Sequence, residues 1–300
     1  MVYLLIMIGV LLTPSLAYAW GPITHLYYGM EVLDKLPMLL LPLQELLRTF
    51  PKDYLYGCLA ADITLKKDLV DYTEHCHNWD IGLALLDKAE TPPQKAFAWG
   101  YLTHLAADTI SHNYFVPYFT VASYETTVLR HIYWELRFDA TRDPKLWQMT
   151  KDLTRDYNKS HHDELLKTNL KRTLFSFTTN KVIFNRIMSL SQSKKWHGLV
   201  SAVHKKSTWA LSPQDVKEFQ SMAIQAIFDF LNLQKESKYY LIDPSGKLAL
   251  DKAKRLRKEL KKLSKTEPKD KLQKRVIEIR REFKAELFLK PKHQKWVKVQ

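Results

Sequence analysis

Three side chains able to hold a metal, His104, Asp108 and His112, follow one another at intervals of four in Tyr101-Leu-Thr-His-Leu-Ala-Ala-Asp-Thr-Ile-Ser-His112. In a helix, four-residue steps keep side chains on one slowly drifting face. The helix rises about 12 Å between positions 104 and 112. His104 and His112 therefore cannot share an ion, while Asp108 between them can offer its carboxylate to either side. The neighbours Phe97, Trp99, Leu102, Leu105, Ala106, Ala107 and Ile110 are apolar. Three ionisable groups in such a helix need partners that offset desolvation, and a multinuclear metal site supplies them.

Further groups of the same chemistry lie along the chain. His131 and Glu135 in Arg130-His-Ile-Tyr-Trp-Glu135 are one helical turn apart. His75-Cys-His77-Asn-Trp-Asp80 offers two histidines, and Gly57-Cys-Leu-Ala-Ala-Asp62 an aspartate. Residues 1–19 read as a secretory signal: an apolar run from Leu4 to Leu12, a break at Pro14, and Ala17-Tyr-Ala19 as a cleavage site. No Lys or Arg precedes Trp20, so the usual basic start is missing. Cleavage after Ala19 places a free amine on Trp20, five residues before His25. Zinc takes about four nitrogen or oxygen ligands per ion. Trp20, His25, Asp62, His77, His104, Asp108, His112, His131 and Glu135 make nine candidates. With one bridging carboxylate they suit two or three Zn2+ ions and leave positions open for water, which points to catalysis rather than a single structural site.

At these residues, from about Trp20 to Asp139, the chain resembles the zinc-dependent phospholipase C family, which includes phosphatidylinositol-glycan phospholipase D relatives. The resemblance implies an all-α, multi-helix fold in which the N-terminal Trp20 binds zinc through its amine and carbonyl. It implies His25 and Asp62 as ligands, and His77 rather than His75 from its His-x-Trp-Asp context. His104 and Asp108 match the His-x3-Asp pair, with Asp108 as the bridge, and His131 and Glu135 the His-x3-Glu pair that closes the site. His112 departs from the pattern: it follows the bridging aspartate by four residues where the family's next histidine follows by six. Related single-strand zinc nucleases share the Trp20-to-His25 spacing, but usually end in His-x3-Asp. Glu135 therefore favours the phospholipases.

The expected activity is that of a secreted or periplasmic zinc metallohydrolase acting on phospholipids, in which zinc-activated hydroxide attacks a phosphodiester phosphorus. Asp62 either orients that water or ligates. The alternatives are a zinc nuclease or nucleotidase and a non-catalytic, membrane-associated helical protein with a vestigial metal site. No nucleotide-binding fingerprint or serine-nucleophile signature is present.

These residues have to be placed by helices. The chain has 300 residues, only eight glycines, long amphipathic runs and no strict alternation. Helices are expected over 24–36, 38–50, 95–113 (entered at Thr91-Pro-Pro-Gln94 and closed before Pro117) and 123–139, with one more after Ser212-Pro213. A turn at Asp243-Pro-Ser-Gly246 separates a catalytic domain, 20–240, from a basic tail, 241–300. Residues 251–300 carry 19 Lys/Arg against 7 Asp/Glu, which accounts for most of the net charge of +14. Within this tail Leu256, Leu260, Leu263, Leu272, Val276, Ile279 and Phe283 form an apolar stripe broken at Pro268. Either the tail is a helical hairpin packed on the core, or it attaches to an anionic membrane, where Trp296 would suit the interface. Nucleic acid is a third possible partner for its charge. Cys58 and Cys76 read as small buried residues rather than a disulfide framework.

Overall fold

The computed structural model describes residues 20–63, 76–126, 131–157, 161–170, 176–190 and 211–288. The proposed signal (1–19), His75, Arg130, the side chain of His131 and the end of the tail with Trp296 lie outside them. Among the described residues there are helices and no strands. The all-α class expected from the sequence is what the chain adopts.

The helix that carries the ladder is the centre of the molecule. It is α5 of the series α1 (Pro22–Asp34), α2 (Leu41–Thr49), α3 (Pro51–Ala60), α4 (Trp79–Asp87) and α5 (Pro92–Ile110). It starts as its sequence predicts. Thr91 Oγ1 accepts from Gln94 N while Gln94 Oε1 accepts from Thr91 N, a capping box that satisfies amides the helix leaves open. From Ala96 to Ile110 nearly every residue is buried, which a helix achieves only when neighbours surround it. Those neighbours are α1, α3, α4 and α11 (Pro213–Leu233). Of these, α3 comes nearest: a Cβ on Gly57 would collide with the carbonyl oxygen of Phe97, and one on Gly100 with that of Tyr54. Only glycine at both positions lets the two backbones meet.

The second helical segment of the sequence reading, 38–50, is realised as α2 (Leu41–Thr49), and Pro51 opens α3. Pro117 does not close the ladder helix. Ser111–Phe115 forms a π turn, and α6 (Val116–Ala122) continues with Pro117 in its first turn, where its missing N–H costs nothing. Asn113 Nδ2 donates to Thr109 O (3.0 Å), supplying a partner inside the widened turn. The helix expected over 123–139 is realised, among the described residues, only as α7 (His131–Asp139), because Ser123–Glu125 turn instead.

The remaining helices are α8 (Pro144–Asp156), α9 (His162–Asn169), α10 (Phe177–Leu190), α12 (Lys247–Leu263) and α13 (Lys269–Phe288). Ser212 caps α11 through Asp215 N, as its Ser-Pro start implies. The basic segment is a helical hairpin whose stripe is covered within the chain: Leu260, Leu272, Val276, Ile279 and Phe283 bury with Val121 and Tyr124. Arg280 lies over the Tyr118 ring at 4.0 Å, and Lys284 bonds Glu218 at 2.6 Å. Packing on the core is thus the arrangement seen for these residues. Lys254, Lys258, Lys262 and Lys274 stay on exposed faces. Among the described residues no helix is long and apolar enough to cross a membrane.

Candidate metal centre

Four helix segments and turns bring five of the predicted side chains together. His25 comes from α1, Asp62 from the turn after α3, His77 from the segment before α4, and His104 and Asp108 from α5. His112 follows in the π turn and Glu135 in α7. All seven are buried, none more than 2 % exposed.

The imidazoles are aimed by their outer nitrogens. His104 Nδ1 donates to Cys58 O at 2.9 Å, a bond that exists because α3 and α5 meet at their glycines. His112 Nδ1 donates to Pro244 O at 2.5 Å. A carbonyl only accepts, so in each neutral ring the electron pair is left on Nε2. His104 Nε2 then faces His77 Nε2 at 3.0 Å and Asp108 Oδ2 at 3.2 Å. His77 Nε2 is 2.9 Å from Asp108 Oδ2 and 3.4 Å from Asp62 Oδ1. With the His77 proton on Nδ1, towards Cys76 Sγ at 3.2 Å, these electron pairs converge as the ligands of a cation do. Ligand atoms on a tetrahedral zinc, with bonds of about 2.0–2.1 Å, lie roughly 3.3 Å apart. The spacing found here matches that shell.

Asp108 faces two ways. Its Oδ2 is directed at His77 and His104, while Oδ1 is 3.2 Å from His25 Nε2. His25 stacks on His104 with ring centroids 3.6 Å apart, and His25, Asp62 and His104 form a second group of converging ligand atoms. A carboxylate placed between two such groups has the geometry of a bridge. His112 is the outlying rung: its Nδ1 is 3.9 Å from Asp108 Oδ2, and its ring is 5.8 Å from that of His77.

Electrostatics favour a neutral His25 beside an ionised Asp108. Burial, aided by His104, lowers the His25 pKa to about 4. For Asp108 burial pushes the pKa up, but His104, His25 and His77 beside it outweigh that and hold it well below the usual carboxylate range. Metal ligands need these deprotonated forms.

Trp20 is fully buried, its indole donating to Ala107 O (3.3 Å) and stacking on Phe115. That anchors the start of α1 beside Asp108. His131 begins α7, one turn before Glu135, its side chain outside the described residues. Cys58 and Cys76 are both buried and free. Two contributors were not found from the sequence. Asp139 accepts from Thr24 N (3.0 Å), Thr24 Oγ1 (2.6 Å) and Ile23 N (3.4 Å), fixing the first turn of the helix that carries His25. Its only sequence signal is the four-residue step from Glu135. The other is the Pro244 carbonyl, which no side-chain pattern announces.

The family model for zinc-dependent phospholipase C matches residues 24–181, more than half of the chain. The chain belongs to the zinc-dependent phospholipase C family. No curated protein and no solved structure matches it.

Proposed function

We propose that the protein is a secreted phosphodiesterase of the phospholipase C type that hydrolyses phospholipids with two or three zinc ions. The observation that carries this is the direction of His104. Its N–H is committed to Cys58 O, and its other nitrogen faces Asp108 and His77. Family membership supports zinc as the metal. Zinc held there supplies a Lewis acid for the phosphoryl oxygens and lowers the pKa of a coordinated water towards neutrality.

The protein's own groups divide the remaining work. His25, Asp62, His77, His104, Asp108, His112, His131 and Glu135 are the proposed ligand set, with the Trp20 amine after removal of residues 1–19. Asp108, with one oxygen towards His77 and His104 and the other towards His25, would be shared between the ligand groups. Asp62 sits 3.4 Å from His77 Nε2, where a carboxylate can ligate or accept a hydrogen bond from the attacking water. The exposed lysines of the α12–α13 hairpin favour an anionic membrane surface as the place of action.

Zinc-loaded protein incubated with phosphatidylcholine should release diacylglycerol and a water-soluble phosphorylated headgroup. Phosphatidic acid in place of diacylglycerol would assign type D cleavage. Nucleotides released from single-stranded nucleic acid, with lipids untouched, would replace the proposal with the nuclease reading. A fully zinc-loaded protein inactive on every lipid and nucleic acid would leave a vestigial centre.

A further inference from the structure

We propose that the Asp243–Gly246 turn is the positioning element for His112, so that the turn leading into the C-terminal hairpin braces the metal centre. This rests on the metal reading above and adds to it a segment that the sequence marks only as a boundary. Pro244 O accepts the proton of His112 Nδ1 at 2.5 Å, which selects the tautomer with its electron pair on Nε2. Asn113, the next residue, donates through Nδ2 to Asp243 O at 2.8 Å. On the other side, Trp79 Nε1 donates to Ile242 O at 2.9 Å. The turn therefore holds His112–Asn113 and the segment that follows His77 in a single set of bonds.

The turn is built to point that carbonyl. Asp243 closes on itself: Oδ1 accepts from Ser245 N (2.8 Å) and Oδ2 from Ser245 Oγ (2.6 Å), while its carbonyl also accepts from Gly246 N (3.0 Å). Gly246 has φ of 58°, a left-handed conformation natural to glycine. A Cβ there would collide with His112 Cβ and lie 2.6 Å from the His112 carbonyl oxygen. Glycine is thus required twice over, for the backbone angle and for contact with the histidine. The residue after it, Lys247, begins α12, which packs on α6 and the π turn.

A hydrogen-bond partner that orients a ligand histidine is typically worth about 10- to 100-fold in metal affinity. Coupling of this kind is reciprocal, so metal should also steady the turn. The test uses the full chain and three readings. In zinc-free wild type, long-range 1H–15N spectra should show His112 as the Nδ1–H tautomer; an Nε2–H tautomer overturns the proposal. Chelator-competed zinc titration of Gly246→Ala should show the weakest-bound ion released at about 10- to 100-fold lower chelator strength than in wild type, with helical circular dichroism retained. Zinc should slow hydrogen exchange at amides 243–247 of the wild type. Unchanged zinc affinity in Gly246→Ala, or no protection of the turn by zinc, overturns the coupling even when wild type is fully loaded. Wild type that binds no zinc overturns instead the reading on which it rests.

Discussion

Among the described residues two clusters of histidine and aspartate occur, and they are built differently. The first is the centre around Asp108. The second joins Asp53 in the first turn of α3 to His161 and His162 at the start of α9. In the second, His162 Nε2 lies 2.7 Å from Asp53 Oδ1, an ordinary donor–acceptor pair, and the ring stacks flat on Phe97 at 4.5 Å. One donor meets one acceptor, and His161 beside it is exposed. In the first, the N–H groups of His104 and His112 are spent on backbone carbonyls, and His104 Nε2 faces the Asp108 carboxylate at 3.2 Å. His162 bonds a carboxylate and packs on Phe97, holding the fold. His104 gives its proton to a backbone carbonyl and turns its other nitrogen to Asp108.

The comparison breaks most directly at His104 and His162. His104→Ala should cost about 10³-fold or more in phospholipid hydrolysis, beyond the loss of a single charge-stabilising donor. It should also lower bound zinc, measured by mass spectrometry on dialysed protein. Retained zinc and activity would place the metal elsewhere. His162→Ala should do the opposite. It leaves a cavity beneath Phe97 and removes one partner of Asp53, so denaturant unfolding should show a loss of about 2–4 kcal/mol with zinc content unchanged. Zinc lost in that variant would make the second cluster a site after all.

Asp139 sharpens the contrast between carboxylates. Burial raises its pKa to about 7, against the lowering pull of its hydrogen bonds from Thr24 and Ile23 and of nearby Arg142. An unfolded aspartate titrates near 3.9. Between these values the folded chain binds more protons than the unfolded one, so this group's contribution to stability falls as pH rises from about 4 to 7 and is level above. Asp139→Asn should remove that slope, seen as a wild-type-minus-variant difference in unfolding free energy across the window. A difference independent of pH would contradict the assignment. The smallest effect is expected at the surface. Lys254→Gln, Lys258→Gln and Lys262→Gln together should change stability by under about 0.5 kcal/mol each, yet weaken binding to phosphatidylserine vesicles by about 1 kcal/mol per charge. Undiminished vesicle binding would free the hairpin from a membrane role.

Much of this architecture is written in short-range pattern. The capping box at Thr91, the Ser212 cap and the stripe that stops at Pro268 are local signals, and the helices follow them. The ladder is legible for the same reason, since four-residue spacing acts within one helix. What the sequence conceals depends on distant backbone. Cys58 O reaches His104 only because Gly57 and Gly100 let two helices touch, and Pro244 O reaches His112 across 132 positions of chain. The π turn at Ser111–Phe115 is hidden too, since a widened turn has no composition of its own. It also explains why Pro117 fails to end the helix: the turn changes register just before it. Asp139 hides because its partners are main-chain amides of another helix.

The central claim is that Asp108 stands between zinc ions. Zinc counted per chain, on protein whose N-terminus is verified as Trp20, tests it most directly when wild type and Asp108→Asn are measured side by side. The account predicts two or three ions in wild type and fewer than one in the variant. A wild type without zinc, or a variant that keeps its full complement, would contradict it.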